Sequence, residues 1–277
     1  MYLLCNICTS PIGIIFKEKV LFKYDINYFK CCECGFIQTE KPFWLKEAYE
    51  TPINTSDIGL IQRNIHYSNI IPDILNICSA PNDTYLDYGG GYGIFVRIMR
   101  DKGYDFYLHD LYTENLFAKK FELKDYKNES KFKALTAFEV LEHFENPIEE
   151  IKTMFKFSDI LIFSTELQPG YTLKKASDWW YISPETGQHI SFYTLKALHA
   201  LAEKLNVFVY SNGFNLHIFS KEVFKENPFD PKKTYSASFI KRLISKFFFK
   251  EKKNPIPQVR NSLLESDFEL IKKQEMN

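Results

Sequence analysis

The run Leu86-Asp87-Tyr88-Gly89-Gly90-Gly91-Tyr92-Gly93 constrains this chain more than any other segment. It follows a stretch with strand character, Thr84–Tyr88, and opens one with helical spacing, Ile94–Lys102. Such a loop turns sharply and lets backbone approach a ligand at distances that side chains would block. It also implies a sheet in which strands alternate with helices, and the rest of the chain reads that way. Strand candidates are Thr84–Tyr88, Asp105–His109, Lys133–Phe138, Ile160–Ser164, Val207–Tyr210 and Leu216–Ser220, with helices expected over Ile94–Lys102, Pro147–Phe157 and Thr194–Leu205. That texture predicts a parallel sheet with crossover helices. Asn212-Gly213, between the last two strands, is a hairpin signal, so the sheet should end in an antiparallel pair.

The loop does not fit the dinucleotide fingerprint, which needs glycine at its first, third and sixth places, because Ile94 takes the sixth. No Gly-Lys-Ser/Thr follows, so a phosphate-binding P-loop is also excluded. Asp110, at the end of the second strand, is placed to accept hydrogen bonds from both ribose hydroxyls of a nucleoside.

Ahead of this domain stand two C-x-x-C pairs, Cys5/Cys8 and Cys31/Cys34, with 22 residues between them. Each pair puts two thiolates on one tight turn, and two such turns supply the tetrahedral sulfur set of a closed structural zinc site. Gly35, directly after the second pair, suits a knuckle that needs positive φ. A redox C-x-x-C would need its own βαβ context. Cys32 and Cys78 are read as a spare thiol and a small core residue.

The organisation that follows is a zinc-binding module at 1–43, a helical connector at 44–82, the sheet domain at 83–220 and a basic helical tail at 221–277. The module is expected to carry short strands at Ile12–Phe16, Val20–Tyr24 and Tyr28–Cys31. The connector is expected to hold Trp44–Tyr49 and Ile58–Ile77, the latter interrupted by Pro72.

Composition excludes several classes. Lys+Arg and Asp+Glu are both 35 in 277 residues, so the chain is not built to coat nucleic acid. With 26 Phe, 17 Tyr and 3 Trp it carries far more apolar surface than a disordered chain. No apolar run approaches a bilayer span and the start lacks a signal-peptide pattern, so a cytoplasmic location is expected.

The residues resemble a known family at this point. Asp87-x-Gly89-x-Gly91-x-Gly93 is similar to motif I of class I S-adenosylmethionine-dependent methyltransferases. Ala137-Phe138-Glu139-Val140-Leu141-Glu142-His143-Phe144, followed by Asn146-Pro147, resembles the segment after the fourth strand of that family. The paired C-x-x-C module, and the stretch from Trp179 to Tyr193, are similar to zinc-containing sugar methyltransferases of deoxysugar and surface-polysaccharide pathways. The resemblance implies an α/β fold: a seven-stranded Rossmann-like sheet with a small N-terminal zinc ribbon. It implies that Asp87, Gly89, Gly90, Gly91 and Gly93 hold the methionine part of S-adenosylmethionine. Asp110 would hold the ribose, Leu111 and Tyr112 would flank the adenine, and Phe138 and Glu139 would border the methyl-sulfonium centre. Zinc, held by Cys5, Cys8, Cys31 and Cys34, would be structural.

Methyl transfer to an alcohol needs an aligned acceptor and a base for its proton. His189 ranks first as that base, His143 second with Glu142 as an orienting partner, and Glu166 third. Trp179, Trp180, Tyr181, Glu185 and Gln188 have the makeup of a carbohydrate-binding lip. The expected acceptor is a free sugar or a sugar nucleotide. The family's sugar C-methyltransferases carry a large C-terminal domain and this chain has some 57 residues after Ser220, which places O-methylation ahead of C-methylation of a keto-sugar nucleotide. Two other readings are a non-catalytic scaffold and a nucleic-acid methyltransferase; the intact loop argues against the first and the neutral charge against the second. Residues 232–253 hold eight Lys or Arg against Glu251, with apolar residues at helical spacing between them. They suit a helix packed on the main domain or on a partner subunit or, as the second reading, one lying on an anionic membrane surface.

Overall fold

The computed structural model describes residues 3–53, 57–230 and 260–275. Two sheets organise them. The smaller begins with strands β1 (Ile12–Val20) and β2 (Tyr24–Cys31), which pair antiparallel from Ile12↔Cys31 to Val20↔Tyr24. The second strand expected, at Val20–Tyr24, is instead the end of β1, the start of β2 and the hairpin turn between them, with Leu21 and Phe22 both at positive φ. Lys17-Glu18-Lys19 break the apolar pattern without ending the strand, because Lys17 and Lys19 reach across to Asp25 on β2 at 3.6 and 3.7 Å. Strand β3 (Ile37–Thr39) joins the other edge of β2.

The connector folds as a short helix α1 (Leu45–Ala48) and a long helix α2 (Leu60–Cys78). Contrary to the expected interruption, α2 runs straight through Pro72. Proline removes the N–H that would satisfy the carbonyl four residues back. That carbonyl, on Ser68, accepts a 2.7 Å hydrogen bond from Lys102 Nζ instead.

The larger sheet contains β4 (Thr84–Tyr88), β5 (Asp105–His109), β6 (Ala134–Phe138), β7 (Ile160–Ser164), β9 (Phe208–Ser211) and β10 (Leu216–Ser220). Its order is β5-β4-β6-β7-β10-β9, with β4 to β7 parallel and β10 antiparallel to both neighbours. Helices α3 (Ile94–Asp101), α4 (Pro147–Phe157) and α5 (Leu195–Leu205) connect the strands. The described residues supply six strands to this sheet, not the seven expected. Beyond β5 the chain makes one parallel bridge, Leu108↔Glu122, and then turns into a 3-10 helix at Leu123–Asp125. The capping box of that turn, Glu122 with Asp125, takes the backbone that a further strand would have used.

The two sheets are not separate bodies. Strand β8 (Ser191–Phe192) lies between β7 and α5 in sequence but pairs with β3, completing the order β1-β2-β3-β8. Thr194 caps α5 by accepting from Ala197 N–H and donates its hydroxyl proton to the carbonyl of Cys34 at 2.6 Å. Cys5, Cys31, Cys34 and Phe36 share one apolar core with Phe144, Tyr193, Ala197 and Leu198.

The C-terminal helix α6 (Leu264–Glu275) packs beside α3 through one carboxylate. Asp267, 4% exposed, accepts from Arg97 at 2.9 Å and from both Nε and Nη2 of Arg100 at 2.8 Å. The basic segment 232–253 lies outside the described residues. Removing one partner of a buried pair leaves the other charge uncompensated. Asp267→Ala should therefore destabilise the fold by about 3–5 kcal/mol, read as a lower urea midpoint.

Candidate active site

The glycine loop sits where β4 hands over to α3, at the carboxyl ends of the parallel strands, where open α/β sheets gather ligands. Gly89, Gly91 and Gly93 all have positive φ, between 58° and 83°. Gly90 is required for a different reason: a Cβ there would collide with Asp87 Oδ2 and Leu108 Cδ1. Asp87 lies directly beneath the loop and is 1% exposed. Its Oδ1 accepts a 2.6 Å hydrogen bond from Thr136 Oγ1, and its Oδ2 has no partner. Burial pushes its carboxyl up to about 7, against the Thr136 bond and with the help of the Asp110 charge.

Asp110 fastens the neighbouring loop. One carboxylate oxygen accepts from Gly91 N–H at 2.9 Å, and the other from Tyr112 N–H at 2.8 Å and Thr113 N–H at 2.7 Å. Leu111 and Tyr112 follow, both largely exposed, and the Tyr112 ring stacks on Tyr49 with centroids 4.8 Å apart. Tyr49 in turn meets the His143 ring edge-on at 6.1 Å, so one side chain spans from the Asp110 loop to the histidines.

At the end of β6, Phe138 stacks on Tyr67 of α2 at 4.2 Å and meets Phe95 of α3 edge-on at 5.0 Å. Glu139 is held at φ 55°, in the left-handed region. Ser164 Oγ accepts its N–H at 2.8 Å and donates to its carboxylate at 2.6 Å. Burial raises the Glu139 carboxyl, opposed by Ser164 and by Arg63 of α2. Glu166, past β7, accepts from Asn215 at 3.1 Å.

The turn Leu141–His143 is stitched to the strand that completes the smaller sheet. The carbonyls of Leu141, Glu142 and Phe144 accept from Tyr193 OH, Ile190 N–H and Ser191 Oγ at 2.8, 2.9 and 2.6 Å. This brings Glu142, His143 and His189 together, with ligating atoms all within 4.8 Å of one another and the two imidazole centroids 5.0 Å apart. His143 Nδ1 lies 3.0 Å from the carbonyl of Gln188, and His189 Nδ1 lies 2.6 Å from that of Tyr181. A carbonyl only accepts, so both rings carry their proton on Nδ1 and their lone pair on Nε2. Burial lowers both imidazoles; His189, with the charge of His143 adding to burial, falls to about 3. Glu142 is fully buried, neither carboxylate oxygen has a partner, and burial followed by the Glu139 charge raises it well above the usual carboxylate range.

The five residues expected to form an aromatic lip part company. Trp179 and Tyr181 are buried in the core of the smaller sheet, where Trp179 packs against Phe192 and Tyr181 against His189. Trp180, 74% exposed, and Glu185 face solvent. Gln188 is buried, and its Nε2 lies within 2.9 to 3.3 Å of the carbonyls of Ala48, Thr51 and Pro52. A polar-aromatic composition does not separate ring faces that pack from ring faces that bind. Sequence reasoning missed Tyr49, Arg63, Thr136 and Ser164. Thr136 and Ser164 follow the strand-end rule that singled out Phe138 and Glu139, whereas no local signal marks Tyr49 or Arg63.

The four paired cysteines also converge. Cys5 Sγ lies 3.6 Å from Cys34 Sγ, Cys8 Sγ lies 3.4 Å from Cys31 and 3.6 Å from Cys34, and Gly35 has φ 74°. A tetrahedral ion with Zn–S bonds of ~2.3 Å sets sulfurs about 3.8 Å apart, so the residues fit that group. Ile7 N–H and Glu33 N–H point at Cys5 and Cys31 sulfur at 3.4 Å, as thiolates require.

Residues 62–211 match the family model described as "Methyltransferase domain". No curated protein matches the chain. Among solved structures, the plantazolicin methyltransferase BpumL in complex with a monoazolic desmethylPZN analog and SAH aligns at TM-score 0.42 and 11% identity, covering 65% of this chain and 93% of that one. An O-methyltransferase family 2 protein from Planctomyces limnophilus DSM 3776, in complex with apigenin, gives 0.42 and 11%, covering 64% and 65%. The mitomycin 7-O-methyltransferase MmcR gives 0.41 and 13%, covering 64% and 60%.

The raised Asp87 carboxyl has a consequence of definite sign. Its folded-state value, about 7, lies above the ordinary 3.8, so the folded chain holds this proton more tightly than the unfolded one. The cofactor-free protein should therefore lose stability as pH rises from about 4 to about 7, by ~4 kcal/mol from this group. Denaturant titrations of wild type and Asp87→Asn across that range should differ in slope, the variant being flatter.

Proposed function

The chain belongs to the methyltransferase-domain family and is an S-adenosylmethionine-dependent methyltransferase, and we propose that it methylates an oxygen of a sugar or sugar derivative in surface glycan biosynthesis. The observation that carries this reading is the junction made by Tyr49, which links the Asp110 loop, itself bonded to Gly91 of the glycine loop, to His143 and through it to His189. The cofactor supplies a methyl group on a sulfonium, ready for in-line displacement.

The residues present fit that cofactor. Asp87 Oδ2 is a buried acceptor with no partner, suited to an ammonium group, and Gly90 keeps the space above it clear. Gly89, Gly91 and Gly93 supply the rest of the cradle for the methionine part, Asp110 the ribose contact, and Leu111 and Tyr112 the flanks of the adenine. Phe138 sets the width of the pocket from the core side, and Glu139 borders its reacting end.

On the acceptor side, His189 is the base. The Tyr181 carbonyl fixes its tautomer, and burial keeps it neutral at every physiological pH. His143 is its alternate and Glu166 the third group in reach of the strand ends. Trp180 and Glu185 meet the acceptor at the rim. Trp179, Tyr181 and Gln188 position this wall from behind. Cys5, Cys8, Cys31 and Cys34 hold a structural zinc ion in a cytoplasmic protein.

His189→Ala should keep S-adenosylhomocysteine binding by calorimetry and lower turnover about 10²- to 10⁴-fold, measured with a panel of nucleotide sugars by mass spectrometry; full turnover would reject the assignment. Chelating the metal should abolish hydrogen-exchange protection across β1 and β2. Protection that persists in metal-free protein would show that the four sulfurs do not stabilise this sheet.

A further inference from the structure

We propose that Glu142, His143 and His189 bind a divalent first-row transition ion, separate from the four-cysteine site, at the acceptor end of the cleft. The set is two imidazoles and a carboxylate, the donors that suit zinc, iron(II), cobalt or nickel, and three ligands leave coordination positions open. Their ligating atoms already lie within 4.8 Å of one another, although they come from two distant segments of the chain.

Two independent observations favour a cation on these residues. The first is the tautomers. Each ring sets its Nδ1 against a backbone carbonyl, Gln188 for His143 and Tyr181 for His189, which puts the proton there and leaves the lone pair on Nε2. Imidazoles that ligate metals are held by this kind of outer hydrogen bond. The second is Glu142. Its side chain is fully buried, neither oxygen has a partner at hydrogen-bond distance, and its surroundings are the carboxyl of Glu139, which raises it, and the hydroxyls of Tyr181 and Thr165, which oppose that rise. Two acids buried side by side either keep a proton or take a positive partner. An ion seated on the three residues satisfies the two lone pairs and the orphaned oxygens at once.

The role of the ion rests on the methyltransferase reading; its binding does not. An ion held by these three residues would supply Lewis acidity to the acceptor hydroxyl, whose proton would pass to water. The acceptor oxygen then bonds to the methyl carbon as the carbon–sulfur bond breaks, its electron pair staying on sulfur. In the metal-free chain His189 is the base named above; with an ion seated its Nε2 is a ligand, and the acceptor proton leaves to water instead.

The test is a metal count on the full chain loaded with Co²⁺ and dialysed. Wild type should hold two ions per chain by mass spectrometry, one of them giving the thiolate-to-cobalt charge-transfer absorption of the cysteine site. His189→Gln and the isosteric Glu142→Gln should each hold one ion, with that absorption unchanged. One ion per chain in wild type, or two in both variants, would overturn the proposal. Calorimetry with S-adenosylhomocysteine separates the two readings: failure of wild type to bind it, with the count still falling from two to one, rejects the methyltransferase role and leaves the ion site standing.

Discussion

A carboxylate buried without a full set of partners lies at the centre of this molecule. Asp87 touches Thr136 on the adjacent strand, forbids a side chain at Gly90, and has one oxygen that nothing in the chain satisfies. Leaving a polar group in that state is costly, and a scaffold keeps it when a ligand completes it. The rest of the cleft is arranged around the same loop: Asp110 fastens it from the second strand, and Val140 packs against it, a Cβ at Gly89 falling 2.7 Å from Val140 Cγ2.

The N-terminal sheet is part of that arrangement. Because β8 is borrowed from the segment between β7 and α5, the stretch carrying Gln188, His189 and Ile190 is drawn against the turn carrying Glu142 and His143. The cysteine knuckle is fixed to the start of α5 through Thr194. A disturbance at the four sulfurs therefore has a short covalent and hydrogen-bonded route to the imidazoles, through Cys34, Thr194, Tyr193 and Leu141.

Most of the larger sheet was legible in the sequence because its strands are buried on both faces and bounded by turns. Thr84–Tyr88, Asp105–His109, Ile160–Ser164 and Leu216–Ser220 are found as expected, and Asn212-Gly213 makes the turn that joins the antiparallel pair. Local pattern failed where a distant group changed the balance. Lys102 rescues the carbonyl that Pro72 strands, and Asp25 carries β1 past its charged stretch; the seventh strand was implied by the family resemblance alone and had no candidate segment in the local pattern. The candidate site shows the same division. Asp87, the glycines, His143 and His189 stand in motifs at strand ends. Tyr49 and Arg63 arrive from the connector, and nothing in the local sequence foretells their approach. Trp179 and Tyr181 have the composition of a binding surface and the burial of a core.

Gln188 joins two tasks in one residue. Its side-chain amide faces three carbonyls of the stretch from Ala48 to Pro52, and its main-chain oxygen holds the proton of His143. The strap that leads to the glycine loop and the orientation of an imidazole are thus geared to a single peptide unit. Evolution has little room to retune one without the other: widening the entrance along residues 48–52 loosens the ring behind it, and an acid in place of the amide would turn its donors into acceptors facing acceptors.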